Sequence, residues 1–146
     1  MGLDMYLHKK TFVRNWDYME ESEKNHVSVK GAESNHIVGA RVSEITEQIA
    51  YWRKANHIHN WFVENVQNGE DDCGEYYVTE EHVKALNEAC KKVLDDNSLA
   101  KELLPTASGF FFGGVEYDKY YFESVLDTWN ITSALIREMK SWNSVR

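Results

Sequence analysis

The chain has little proline and cysteine, and it lacks a long apolar run: its 146 residues include one proline and two cysteines. Two thiols are too few for the disulfide framework of small secreted domains, so we expect Cys73 and Cys90 to be free. No segment approaches the roughly 18 apolar residues that cross a bilayer. The opening MGLDMYLHKK also lacks the basic-then-apolar order of a secretory signal. We therefore predict a cytoplasmic protein without membrane contact.

Positive charge is also scarce. Lysine and arginine total 16 against 24 acidic residues, which gives a formal charge of −8. Duplex nucleic acid binding depends on cationic contacts to phosphate, so we expect no nucleic acid partner. The acidic residues are scattered, which disfavours DNA mimicry. A small anionic ligand needs only a few local donors and stays compatible with this charge. We expect no cofactor, and we expect residues 1–146 to form a single domain.

Aromatic residues are abundant, at 13% of the chain. They concentrate in LPTASGFFFGGVEYDKYYFES, residues 104–124, where the strand period sends Phe111 to the face opposite Phe110 and Phe112. We favour a core or interface strand there, and backbone facing a ligand is the alternative. Tyr117 and Tyr121 stand four residues apart and share a helix face. They can stack a purine or pack in the interior, and the sequence leaves both open.

Hydrophobic periodicity predicts an α+β fold, with a small, mostly antiparallel sheet packed with about three helices, including a long C-terminal helix. The strands are predicted at residues 2–13, at 76–78 and, as a weaker possibility, at 26–30. The segment from Ile37 to Trp52 fits one or two strands or a helical turn.

The helices are predicted from apolar stripes and their end signals. The first carries Ala55, Ile58, Phe62 and Val66 and stops at Gly69. The second follows a Thr79 N-cap and ends at residues 95–97. The third presents an apolar stripe made of Phe122, Val125, Leu126, Trp129, Leu135, Ile136 and Met139.

The segment YWRKANHIHNWF holds the main candidate site. On a helix, Arg53, His57 and Asn60 would follow one polar edge, with the Trp52 ring adjacent. A guanidinium, an imidazole and a carboxamide suit a phosphate or ribose, although a solvated helix face is the simpler interpretation. His57 and His59 would point to nearly opposite sides of a helix, so we predict no zinc site.

Three strings make the chain resemble a family of small uncharacterised proteins from phages, prophages and gut bacterial genomes. They are MGLDMYL, YWRKANHIHNWFVENVQNGEDDCGEYYV and LLPTASGFFFGGVEYDKYY. The resemblance covers roughly residues 1–8 and 45–126, and that family has no settled activity to transfer. It implies a phage accessory protein in the host bacterial cytosol. Small, acidic, aromatic-rich phage proteins often oppose host defence, and one class sequesters the nucleotide signal of an immune enzyme.

We therefore expect a homo-oligomer that binds a nucleotide-derived immune signal, such as an ADP-ribose-like or cyclic nucleotide, without catalysis. Arg53, His57 and Asn60 would hold phosphate or ribose. The rings expected against the ligand are Trp52, Phe111, Tyr117 and Tyr121. The first alternative is a protein that inhibits a host defence enzyme by binding it. The second is a hydrolase of nucleotide signals that uses His57 or His59 with Asp71 or Asp72.

Overall fold

The computed structural model describes residues 4–14, 16, 18–20, 22, 24–25, 27–31, 33–70, 74–106 and 117–143. Their architecture is α+β, with one two-stranded antiparallel sheet and a long C-terminal helix, as the sequence predicts. The strands are β1 (Asp4–Phe12) and β2 (Glu44–Arg53). The helices are α1 (Asn56–Asn65), α2 (Glu80–Asp95), α3 (Ala100–Leu103) and α4 (Lys119–Asn143), with 3-10 turns at Gly39–Arg41 and Asn97–Leu99.

Two compact units divide the described residues. One takes its residues from Met1–Met5 and Tyr51–Arg146, and the other from Tyr6–Ala50. The buried apolar residues lie almost entirely in the first unit, whereas Ala50 is the buried hydrophobic residue of the second among those described. The helices and the candidate site below belong to the first unit.

The second unit is a β-ribbon closed by a long irregular connection. The Val13 amide donates to the Ser43 carbonyl at 2.9 Å, which sets the antiparallel register of β1 and β2. The strand considered at residues 26–30 does not form, because residues 27–30 lie in irregular chain. Gly39 passes so close to the Val27 carbonyl that an added Cβ would overlap it. The connection is therefore built on a close backbone approach that only glycine permits.

Helix α1 follows β2 directly through Lys54, whose φ of 55° reverses the chain. It buries the predicted Ile58 and Phe62 together with Trp61. The helix ends at Asn65, so Val66 lies beyond it and the end comes four residues before the predicted stop at Gly69. Asn68 and Gly69 adopt left-handed φ values of 54° and 82° in the turn that follows.

Helix α2 begins at the predicted cap. The Thr79 hydroxyl accepts from the His82 amide at 3.2 Å, and the Thr79 amide donates to His82 Nδ1 at 3.1 Å, which completes a capping box. The helix packs against α4 and buries the apolar residues Val83, Leu86, Cys90 and Val93. The strand predicted at residues 76–78 is wrong. Residues 74–79 form no strand and lead irregularly into the helix.

Helix α4 buries only part of the predicted stripe, namely Val125, Leu135 and Met139. Leu126 is 45% exposed, whereas two threonines, Thr128 and Thr132, are buried. Each threonine donates its hydroxyl to the backbone carbonyl four residues earlier, at 2.7 and 2.8 Å. These bonds satisfy the hydroxyls, which lets a polar side chain occupy a core position. The inward face therefore runs through Tyr121, Val125, Thr128, Thr132, Leu135 and Met139.

No described helix has both the length and the apolar character that crossing a bilayer requires. The predicted strand at Phe110 to Phe112 lies outside the described residues.

Candidate functional site

An open cleft of about 380 Å³ lies between the end of β2 and the outer face of α4. Its walls combine aromatic, cationic, acidic and amide side chains, which is the mixture expected of a small-molecule site. The residues that line it are Tyr51, Trp52, Arg53, Ala55, Ser124, Asp127, Asn130 and Ile131.

The β2 wall is organised by strand alternation. Tyr51 and Arg53 are exposed, whereas Trp52 between them is buried, because successive side chains of a strand point to opposite faces. The Trp52 indole donates to the Thr128 hydroxyl at 2.8 Å and packs against the Phe62 ring, with 5.7 Å between centroids. Tyr51 is 44% exposed and its hydroxyl donates to Asp4 Oδ1 at 2.9 Å. The accessible ring is therefore mainly that of Tyr51, which the sequence interpretation overlooked.

The α4 wall follows helix spacing. Ser124, Asp127 and Ile131 are separated by three and four residues, so they line one side of the helix, and Asn130 borders them. Asp127 and Asn130 are exposed, and Ser124 and Ile131 are half-buried. The sequence analysis predicts only an apolar stripe for this helix and does not identify its polar face. The spacing of that polar face can nevertheless be read from the sequence.

Arg53 is the cation of this cleft. Its side chain is exposed, and the guanidinium makes no ion pair or hydrogen bond with any described residue. A guanidinium carries five donors in a planar fork that matches phosphate and carboxylate geometry. Asp127 is the carboxylate of the same cleft, and an ionised carboxylate accepts hydrogen bonds but donates none. The two groups together suit a ligand that has both an anionic group and hydroxyl donors.

Behind the cleft, a buried polar chain joins α1 to α4. His57 Nε2 lies 2.6 Å from the Ser124 hydroxyl oxygen, and that hydroxyl donates to the Tyr121 carbonyl at 2.9 Å. A hydroxyl has one proton, so Ser124 donates either to the Tyr121 carbonyl or to His57 Nε2, and the distances fit both tautomers of the ring. The contact by itself therefore does not make the imidazole a base toward Ser124.

Burial also weakens His57 as a base. Desolvation lowers the pKa of His57 from 6.5 to about 4, and its backbone hydrogen bond to Tyr121 offsets only part of that effect. General base catalysis at neutral pH needs a pKa near 7. No carboxylate among the described residues bonds to the ring to orient it. The Ser124–His57 contact is therefore a neutral structural link between two helices.

Tyr121 belongs to the interior. Its side chain is 3% exposed, its hydroxyl donates to the Leu104 carbonyl at 2.6 Å, and its ring lies 4.2 Å from the His57 ring. Burial raises the pKa of this phenol well above its ordinary value of 10. A ligand cannot stack on a ring that is covered in this way.

The remaining predicted site residues do not line the cleft. Tyr117 is half-buried, accepts from the Thr106 amide at 3.2 Å and lies beneath the Lys101 ammonium, 5.8 Å from its ring centroid. Asn60 is half-buried on α1. Phe111 lies outside the described residues. Of the predicted site residues, Arg53 and Trp52 therefore line the cleft. His57 does not line it but contacts Ser124, which does.

The prediction that Arg53 shares a helix edge with His57 and Asn60 is wrong in its geometry. Arg53 ends β2, and the helix starts three residues later at Asn56. The left-handed Lys54 separates the two elements, so helical spacing does not apply to Arg53.

The described residues contain no group of three or more histidine, cysteine or acidic side chains arranged to hold a metal ion. Cys90 is fully buried, and burial raises the pKa of its thiol to about 12. Cys73, Asp71 and Asp72, which the hydrolase hypothesis uses, lie outside the described residues.

The unit of residues 6–50 has an open cleft of its own, of about 460 Å³. Exposed rings surround it: Phe12 is 75% exposed and Trp16 is 51% exposed. Tyr18, 81% exposed, stacks on Trp16 with 5.6 Å between ring centroids. The other residues that line this cleft are Val13, Ala40, Arg41, Val42, Ser43 and Glu44.

No family model matches the chain, and neither a curated protein nor a solved structure is significantly similar to it.

Proposed function

We propose that the protein binds a nucleotide-derived signalling molecule in the cleft between β2 and α4 and sequesters it unchanged. The observation that carries the proposal is Arg53, an exposed guanidinium without a partner among the described residues, set beside an exposed phenol in a cleft. The resemblance to phage proteins supplies the biological setting, in which the ligand is a signal of host defence.

In this arrangement Arg53 pairs with a phosphate and the Tyr51 ring packs against the base. Asp127 accepts from ribose hydroxyls, the role that an acidic residue plays toward ribose in dinucleotide-binding folds. Asn130 offers both a donor and an acceptor to the base or sugar. A ribonucleotide with a free vicinal diol, such as ADP-ribose, uses all four side chains. A 3′,5′-linked cyclic dinucleotide leaves Asp127 beside phosphate and fits less well.

The affinity follows from these contacts. A hydrogen-bonded charged pair contributes about 1.5–3 kcal/mol, and stacking of a base on a ring contributes about 1–3 kcal/mol. Micromolar binding requires roughly 8 kcal/mol in total. Two strong contacts and two polar ones reach that level only at the upper ends of these ranges. We therefore expect a Kd for one chain that is micromolar at the tightest.

The test is calorimetric titration of the purified protein with ADP-ribose, with 3′,5′-cyclic di-AMP as the comparison ligand. We expect Arg53→Gln to weaken ADP-ribose binding by about 10-fold to 100-fold, because it removes the phosphate pair. Arg137→Gln is the matched control, since Arg137 is an exposed arginine of α4 that does not line the cleft. Absence of binding to either ligand, or equal binding by Arg53→Gln and wild type, would contradict the proposal.

A second titration examines Asp127. Wild type should bind ADP more tightly than 2′-deoxy-ADP, and Asp127→Asn should reduce that preference because an amide is a poorer acceptor for a hydroxyl donor.

Chromatography of the ligand recovered after incubation with the protein distinguishes sequestration from catalysis. Ligand returned intact supports sequestration, whereas a hydrolysed product would favour the hydrolase alternative.

The exposed rings of residues 12–18 favour one other function, the binding of a host protein. Phe12 and Trp16 expose large aromatic side chains at one cleft, and the exposed Tyr18 stacks on Trp16. Aromatic residues are enriched at interface hot spots. The net charge of −8 would favour a basic partner surface.

For this alternative we expect the wild-type chain to retain a host protein on an affinity column and Phe12→Ser/Trp16→Ser to lose it. Tyr77→Ser is the control, because Tyr77 is 86% exposed but lies in a different segment. Retention by the double variant equal to wild type would exclude this surface.

A further inference from the structure

A buried hydrogen bond joins the two walls of the cleft between β2 and α4. The Trp52 indole donates to the Thr128 hydroxyl at 2.8 Å, and that hydroxyl donates to the Ser124 carbonyl at 2.7 Å. Thr128 is fully buried and does not line the cleft, whereas Trp52 and Ser124 do line it. All three residues belong to the same compact unit. The bond therefore connects β2 to α4 directly beneath the cleft.

The direction of both bonds follows from the chemistry of the groups. An indole N–H can only donate and a carbonyl oxygen can only accept, so the Thr128 hydroxyl accepts from one and donates to the other. A buried polar group that loses its partner costs the full desolvation of that group. The chain of bonds thus favours one position of Trp52 on α4 over displaced positions in which the indole N–H has no acceptor.

Each partner of this bond is the chain neighbour of a group that the proposed ligand contacts. Trp52 precedes Arg53, and Thr128 follows Asp127. Consecutive Cα atoms are about 3.8 Å apart, so a bond that fixes residues 52 and 128 also fixes the backbone from which the guanidinium and the carboxylate extend. The separation of those two charged groups across the cleft therefore depends on the bond.

We propose that Thr128 is a positioning residue of the ligand cleft, which sets the separation of Arg53 and Asp127 through its bond to Trp52. The inference rests on the proposed function. A ligand that carries both a phosphate and a ribose must meet the guanidinium and the carboxylate at the same time, so its affinity depends on the distance between them. Thr128 contributes to that affinity without touching the ligand.

The test is calorimetric titration of the full chain with ADP-ribose. Thr128→Val keeps nearly the same side-chain shape and removes the acceptor of the indole. We expect it to weaken binding by about tenfold, which is within the range of coupling between residues of one hydrogen-bonded network. Thr128→Ser retains the hydroxyl and should restore most of the affinity.

Thr132→Val is the matched control, because Thr132 is a buried threonine one helical turn further along α4. Its hydroxyl donates to the Thr128 carbonyl at 2.8 Å, as the Thr128 hydroxyl does to Ser124, but it accepts from Asn87 of α2 instead of from β2. Thr132→Val should lower the melting temperature as Thr128→Val does and bind ADP-ribose as wild type does. The comparison separates a positioning role from a loss of stability.

A double-mutant cycle examines whether Thr128 acts through Arg53. With Arg53→Gln already present, Thr128→Val should weaken binding by less than about twofold, because there is no guanidinium left to position. Trp52→Phe removes the same bond from its donor side and leaves Thr128 bonded to Ser124, so it replaces Thr128→Val if that variant does not fold.

Equal ADP-ribose binding by wild type and Thr128→Val would overturn the inference and leave the proposed function intact. Equal losses of affinity in Thr128→Val and Thr132→Val, or additive losses in the cycle, would also overturn it. A wild-type chain that does not bind ADP-ribose would overturn the proposed function and this inference with it.

Discussion

At the scale of single residues, His57 shows how burial decides chemistry. An imidazole in water is half protonated near pH 6.5, but His57 is 5% exposed and packs against the Tyr121 ring. Its hydrogen-bonding neighbours are a hydroxyl and a backbone carbonyl, neither of which compensates fully for lost hydration of the cation. The residue that the sequence offered as a phosphate ligand is therefore a neutral core histidine.

The stability of the protein should depend on pH through His57. Its pKa is lowered from 6.5 in the unfolded chain to about 4 in the fold. The unfolded state therefore binds the proton first as the pH falls. The stabilising contribution is complete above pH 6.5 and declines as the pH approaches 4, by at most about 3 kcal/mol at 1.36 kcal/mol per pH unit.

Urea denaturation at several pH values between 7.5 and 4 measures this effect. We expect the stability difference between wild type and His57→Gln to shrink as the pH falls. His36→Gln, at an exposed histidine, is the control and should follow the wild-type curve. A constant difference between wild type and His57→Gln across this range would show that burial does not shift the proton equilibrium.

At the scale of elements, the ends of the helices are set by local chemistry. Thr79 and His82 satisfy each other's backbone amides, and Glu80 and Glu81 place negative charge in the first turn of α2. Residues three positions apart suffice for this motif, so the start of α2 was predictable. The strand expected just before it, at residues 76–78, depends on a partner strand, which local sequence cannot supply.

Removing the cap tests the contribution of Thr79. We expect Thr79→Ala to lower the free energy of unfolding by about 1 kcal/mol, because the His82 amide loses its acceptor. Thr79→Ser retains a hydroxyl at the same position and should restore most of the stability. Equal urea midpoints for wild type and Thr79→Ala would mean that the cap does not contribute.

At the scale of the whole molecule, the two clefts belong to different compact units and use different residues. Arg53 and Asp127 line the proposed ligand cleft, whereas Phe12 and Trp16 line the cleft of the other unit. We therefore expect Phe12→Ser/Trp16→Ser to bind ADP-ribose as wild type does. Added salt should weaken ADP-ribose binding, because it screens the contact between Arg53 and phosphate.

Features that depend on neighbours along the chain could be predicted from the sequence. Spacing gives β1, the first helix, the Thr79 cap and the long final helix, because caps and amphipathic faces involve residues a few positions apart. Even the exposed pair Tyr51 and Arg53 follows from alternation once β2 is recognised as a strand.

Which face of each element is buried depends on packing between elements, and the structure was needed to establish it. The predicted stripe of α4 included Leu126, yet Thr128 lies inside because it accepts the Trp52 indole proton, and Leu126 faces outward. Tyr121 and His57 are covered for the same reason, since packing between α1 and α4 sets their exposure. Burial depends on contacts between residues 67 and 76 positions apart in the chain, and periodicity within one element carries no information about them.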